Sequence, residues 1–175
     1  MSKNYLEKKI LRVDLSNKKI KEQTVPQEWF KKYIGGMGFG IKILFDEVNP
    51  NVDALSPDNK LIFSIGPLTG TMAPMFAQTC VVTKSPLTNG ALNTYAGGFL
   101  GAEISRTNYS VIVVEGSAEE PCYIKVNEDG AEIVDAGSLW GMNTIQTQET
   151  IKKDLDNKAQ VACIGPAGEN LVRFS

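Results

Sequence analysis

Three glycine-bearing segments have the residue types and spacing to hold a ligand. Gly35-Gly36-Met37-Gly38-Phe39-Gly40 resembles a phosphate loop at first sight, but it follows a helical pattern rather than a strand. It also lacks the Lys-Ser/Thr of a P-loop, so close backbone packing at a helix C-cap is its expected role. Ala96-Gly97-Gly98-Phe99-Leu100-Gly101 is better placed. A short helix beginning near Gly98 would turn several backbone N–H groups outward, where missing side chains let an anion approach the main chain. A tight turn with a packing constraint explains the same residues equally well. Gly66-Pro67-Leu68-Thr69-Gly70-Thr71 reads as a turn with two hydroxyls in a structural role.

Side-chain chemistry is sparse. The chain has no histidine, which excludes Ser-His-Asp and Cys-His sites, a histidine zinc site and a histidine proton shuttle within it. Cys80, Cys122 and Cys163 are far apart, so they form no C-x-x-C pair and cannot alone ligate a four-thiolate cluster. Small buried hydrophobes in a reducing cytoplasm are the expected use. Glu103 and Glu169 are the best carboxylates for acid–base work, yet a Glu in the first turn of a helix usually serves the dipole. Lys60, Lys84 and Arg173 are scattered and read as solvated.

The elements that must position these groups follow from periodicity. Ile10 to Leu15 alternates as a strand, Ser16-Asn17-Lys18-Lys19 turns, and Ile20 to Val25 returns. Pro26 opens a helix through Trp29, Phe30, Tyr33 and Ile34, and Ile41 to Val48 reads as a second one. Leu61 to Ile65 is a short strand ending in Gly66-Pro67. Cys122–Val126 and Ala131–Val134 make another hairpin, followed by a helix capped by Ser138 or Asn143 and a strand, Val161–Ile164, ending in Gly165-Pro166. Hairpin, helix, strand and Ile-Gly-Pro thus occur twice, which points to internal duplication. Thr79–Thr83 and the apolar Val111–Val114 add two strands between the copies. Helices do not alternate regularly with strands, so the fold class is α+β, in one domain over residues 1–175.

Lys and Arg total 18 against 20 Asp and Glu, a balance with no bulk attraction to nucleic acid or an anionic membrane. No apolar run is long enough to span a bilayer, and Met1 to Ile10 lacks a signal-peptide core.

Longer motifs carry a family resemblance. Ile10-Leu11-Arg12-Val13-Asp14-Leu15-Ser16, Gly66-Pro67-Leu68-Thr69-Gly70-Thr71 and Val82-Thr83-Lys84-Ser85-Pro86-Leu87-Thr88 resemble the N-terminal domain of the aldehyde:ferredoxin oxidoreductases. So do Gly97-Gly98-Phe99-Leu100-Gly101-Ala102-Glu103, Leu139-Trp140-Gly141 and Ile164-Gly165-Pro166-Ala167-Gly168-Glu169-Asn170, in the family's order. The resemblance implies two intertwined structural repeats. It implies a base beneath a tungsten or molybdenum bis-pyranopterin, whose phosphates are often bridged by magnesium, with Ala96, Gly97 and Gly98 as main-chain contacts. Tyr95 stands where the family has an Asn at the phosphate–magnesium region, Gln78 where it has a pterin-contacting Arg, and Met37 where it has Arg in the earlier glycine run.

The family's chain continues past this length into helical domains bearing the iron–sulfur cysteines and the aldehyde pocket. The resemblance therefore implies a platform that acts only with a chain carrying those domains, passing electrons indirectly to ferredoxin. The alternative is a non-catalytic stand-alone homologue serving as scaffold, assembly or cofactor-handling subunit. An apolar surface where the absent domains would sit is expected, available to such a partner or to a second copy.

Overall fold

Alternation in the first strand sets the architecture, because both of its faces are covered. The computed structural model describes residues 5–174, so Met1 to Asn4 of the N-terminal reading lie outside the described residues. Strand β1 (Lys9–Asp14) sends Ile10 into one apolar cluster and Leu11 with Val13 into another. Strand β2 (Lys19–Thr24) pairs antiparallel with it and forms one edge of a six-stranded sheet. Its Lys, Glu and Gln side chains suit an edge that must not recruit another chain. On the other side β1 runs parallel to β6 (Tyr109–Glu115), the fully buried type of strand that its Val and Ile content predicts. Antiparallel pairing then continues through β3 (Lys60–Ser64) and β4 (Thr79–Lys84) to β5 (Ala91–Ala96), in the order β2-β1-β6-β3-β4-β5.

Helices α1 (Gln27–Lys32) and α2 (Met37–Glu47) cover one face. Phe39, Ile43 and Leu44 of α2 pack on Ile62, Val82, Val111 and Val113, and the rings of Trp29 and Phe30 lie 5.8 and 5.4 Å from Phe39. Helix α3 (Leu100–Arg106) and a separate hairpin, β7 (Cys122–Val126) and β8 (Ala131–Asp135), cover the other face. There Ile104, Ile124, Val126 and Ile133 meet Leu11, Val13, Tyr109 and Ile112. Helix α4 (Thr144–Asp154) follows, started by Asn143 in a reciprocal capping box with Gln146, and a single turn, α5 (Pro166–Glu169), comes last.

The α+β class holds, and the hairpin-then-helix order recurs as β1-β2-α1 and β7-β8-α4. Three expectations change. Val161–Ile164 is unpaired chain among the described residues rather than a strand, because it lies outside the large sheet; Ile164 and Cys163 are exposed. Cys122 is half-buried, so of the three cysteines only Cys80 is a core residue. The glycine run at 35–40 ends α1 but chiefly begins α2, with Gly36 at φ +52 as its N-cap. Gly38 and Gly40 are there for close packing, since added Cβ atoms would lie 2.2 Å from the Tyr33 carbonyl and 2.6 Å from Val82.

Two lysines read as solvated are not. Lys60 joins Arg12, Glu47 and Glu115 in an ion-pair network that ties β1, the end of α2, β3 and β6 together. Lys84 is buried, its ammonium donating to the carbonyls of Pro50 and Val52 at 2.7 and 2.5 Å. No helix among the described residues is long and apolar enough to cross a membrane.

Candidate functional site

The sequence between Gly90 and Gly101 builds an open ledge at one sheet edge. Strand β5 pairs with β4 alone, and all six of its residues are exposed. The ladder ends at Thr79 opposite Ala96, so Gln78 and Gly97 leave the two strands side by side. Gln78, Tyr95, Ala96, Gly97 and Gly98 are thereby brought to one end of the hairpin, and all five are exposed. A Cβ added at Gly97 or Gly98 would meet nothing within 4 Å, so neither residue is glycine for want of space. Gly98 needs its freedom for φ +88, the turn that swings the chain from β5 into α3. Gly97 has no such backbone reason, and what its missing side chain leaves is bare main chain.

Helix α3 starts at Leu100, two residues after the expected Gly98, with Phe99 as its N-cap and no capping side chain. Its seven residues are too few to be stable alone, so contacts elsewhere hold it. Gly101 presses onto the β4 approach: a Cβ there would lie 2.6 Å from the Ala77 carbonyl and 3.0 Å from that of Gln78. At the far end the buried Lys8 ammonium donates to the carbonyls of Ser105 and Thr107 at 2.5 and 2.7 Å, placing a cation at the negative end of the helix dipole. Gly70 abuts Ser105, which brings the 66–78 loop alongside α3. Met72 and Met75 of that loop are 101% and 97% exposed, and Phe99 is 70% exposed. Exposed apolar side chains thus stand on the loop that leads to Gln78 and next to Gly98.

The polar equipment is modest. Tyr95 Oη donates to Met37 Sδ at 3.5 Å, joining the edge strand to the start of α2. Desolvation, with the cross-strand Cys80 sulfur adding to it, raises the phenol above its ordinary value, so Tyr95 is a neutral donor at neutral pH. Burial likewise raises the Cys80 thiol, with Ser64 and Tyr95 opposing. Among the described residues no group of three or more His, Cys, Asp or Glu converges to hold a metal ion. A thioether and a neutral phenol are poor ligands for a hard divalent cation, which wants several oxygens. The ledge thus suits a group lying on main-chain amides and does not suit magnesium.

Both carboxylates singled out from the sequence serve structure. Glu103 pairs with Arg106 one turn away on α3. Glu169 accepts the Gly141 N–H through both oxygens, at 2.9 and 3.1 Å. That bond joins the Leu139-Trp140-Gly141 motif to the one containing Ala167-Gly168-Glu169. In the Gly66–Thr71 turn, Thr69 Oγ1 accepts from the Gly66 N–H and Thr71 Oγ1 donates to the Leu68 carbonyl. Sequence reasoning missed β5 itself and the contact of Met37 with Tyr95. It missed β5 because the half-polar stretch from 91 to 96 lacks an alternating apolar face.

Comparison with known proteins agrees with the fold. Residues 10–175 match the model of the aldehyde ferredoxin oxidoreductase N-terminal domain. A tungsten-containing aldehyde ferredoxin oxidoreductase of Pyrococcus horikoshii is 48% identical over 95% of this chain, which spans 28% of that protein's length. An aliphatic sulfonate oxidoreductase, WOR-like subunit of Pyrococcus furiosus is 34% identical, again with 95% of this chain covering 29% of the relative. Among solved structures, the active-site complex BamBC of benzoyl coenzyme A reductase superposes with a TM-score of 0.90 at 41% identity, over 93% of this chain and 25% of that one. Sequence and fold agree: this chain belongs to the aldehyde ferredoxin oxidoreductase family, matching it through the N-terminal domain.

Proposed function

We propose that this chain is the platform on which a tungsten or molybdenum bis-pyranopterin rests in a larger oxidoreductase, with Ala96, Gly97 and Gly98 presenting main-chain groups to it and Gln78 and Tyr95 flanking them. When bound, that cofactor supplies the two-electron redox chemistry. The overall reaction is aldehyde plus water to carboxylic acid, two protons and two electrons, the electrons leaving for ferredoxin through an iron–sulfur cluster held by other polypeptide. The observation that carries this reading is Gly97, whose bare backbone has neither a steric nor a conformational cause.

Relatives spanned over about the same fraction are named for aldehydes and for sulfonates, which supports assigning substrate choice to residues beyond this platform. The platform therefore acts together with the polypeptide that carries the remaining domains, which would cover the exposed Met72, Met75 and Phe99. Tyr95 and Met37 supply no carboxylate or amide oxygen, so this corner of the platform does not hold magnesium.

The contact of Tyr95 with Met37 also favours a second reading, a homologue that kept the fold and serves as a scaffold without chemistry. Metal and pterin analysis of the purified chain, alone and with its partner, separates the two. Tungsten or molybdenum with pterin at one equivalent in the complex supports the platform. Their absence from a complex that forms normally supports the scaffold.

A further inference from the structure

At the end of β4 away from the ledge, roughly 17 Å along the strand, lies a cleft of about 510 Å³. Its lining includes Asn51, Asp53, Lys84, Asn89 and Arg173. Each wall is fixed by its own hydrogen bonds. On one side Asn59 Nδ2 donates to the Ala54 carbonyl at 2.7 Å and to the Lys84 carbonyl at 3.1 Å, pinning the 50–59 loop to the strand end. On the other, Ser85 Oγ accepts the N–H groups of Leu87 and Thr88, and the Ser85 carbonyl accepts that of Asn89. Such a cleft is formed before anything enters it, which spares a ligand the cost of ordering its site.

Its charge is unbalanced. Lys84 is 7% exposed, and its ammonium meets two carbonyls, with no carboxylate at ion-pair distance among the described residues. Two acceptors leave one of its three N–H donors unused. Arg173, an exposed residue of the same lining, has no ion pair among the described residues. The one carboxylate in the lining, Asp53, is turned to its own loop, where it accepts the Leu55 N–H at 3.0 Å. A buried cation without a counter-charge is expensive unless an anion supplies it.

We infer that this cleft binds a small organic oxyanion, its carboxylate or phosphate head between Lys84 and Arg173 and its polar body against Asn51 and Asn89. The volume fits a ligand of metabolite size rather than a bare inorganic ion. The inference is independent of the platform role, since the two sites lie at opposite ends of β4.

The test is a titration of the purified protein, in whatever assembly it forms, with succinate and separately with glycerol 3-phosphate, followed by amide NMR shifts and by melting temperature. Expected are saturable shifts in residues 51–55 and 85–89 with one of the two probes, the responding probe identifying the head group. Arg173→Gln, an exposed change that leaves both walls intact, weakens the affinity about tenfold or more, and Arg173→Lys restores part of it. Equal binding to the Arg173→Gln protein overturns the assignment. So do shifts that never saturate, or shifts confined to Gly97 and Gly98.

Discussion

Tyr95 and Met37 touch: the phenol hydroxyl on the edge strand reaches the thioether at the start of α2 at 3.5 Å, across 58 residues of sequence. Each stands where the family resemblance implies a polar residue facing the cofactor, so the two replacements are coupled in space. Together they turn a cation-and-oxygen corner into a soft, neutral one. Replacing both, Tyr95→Asn with Met37→Arg, is expected to raise magnesium from below one equivalent to about one per bound metal in the assembled protein. Elemental analysis checks it, and an unchanged magnesium content would count against the coupling.

Glycines 97 and 101 should part company on mutation. Gly97→Ala adds a methyl into open space at ordinary φ, so stability stays within about 0.5 kcal/mol of the parent. Cofactor retention should nevertheless fall, because the methyl covers main chain. Gly101→Ala drives a methyl to 2.6 Å from the Ala77 carbonyl, and should cost about 2 kcal/mol or more as α3 is forced off β4. Urea denaturation of both variants, paired with pterin content, reads the difference; loss of stability in Gly97→Ala would remove its functional interpretation.

Lys8 governs the same helix from its other end. Lys8→Met removes a buried, charge-assisted pair of hydrogen bonds to the Ser105 and Thr107 carbonyls, a loss of about 1.5–3 kcal/mol. Amide exchange in Leu100–Arg106 should accelerate more than in β1 or β6. Uniform acceleration throughout the sheet would show that Lys8 supports the whole fold and not α3 in particular.

The Arg12, Glu47, Lys60 and Glu115 network predicts an acid-side dependence. Burial pushes the Glu47 carboxyl up, but the Arg12 hydrogen bond and the charges of Arg12 and Lys60 outweigh it and leave the group below its ordinary value. A carboxyl lowered by folding contributes stability that is complete above its unfolded value, near pH 4.3, and is lost as pH falls through the folded one. Glu47→Gln should therefore cost about 1–2 kcal/mol at pH 7 and much less near pH 3. Denaturant midpoints at the two pH values test this; a gap that does not narrow on acidification contradicts it.

Alternation made β1 legible in the sequence, and an unbroken apolar run made β6 legible. Leu11 and Val13 declare a buried face, Val111 to Val114 a strand covered on both sides, and Asn143 was one of two residues offered for the start of α4. The glycine turn was legible by type but not in its setting. β5 lacked a signal because a strand exposed along its whole length needs no apolar face. Val161–Ile164 misled for the converse reason: its apolar content fits a strand, yet among the described residues no neighbour pairs with it. The burial of Lys84 was invisible because its partners are carbonyls, which leave no mark in residue identity.

The second edge of the sheet has a practical consequence for anyone handling this protein. β2 guards its side with Lys19, Lys21 and Glu22, whereas β5 offers Ala91, Leu92, Asn93, Thr94, Tyr95 and Ala96, without a charge or a proline among them. An unguarded strand of this kind templates addition of the same strand from a neighbouring molecule. Concentrated solutions lacking whatever normally lies over the ledge should lose material by self-association that begins at that border, and a lysine placed at Asn93 should slow the loss.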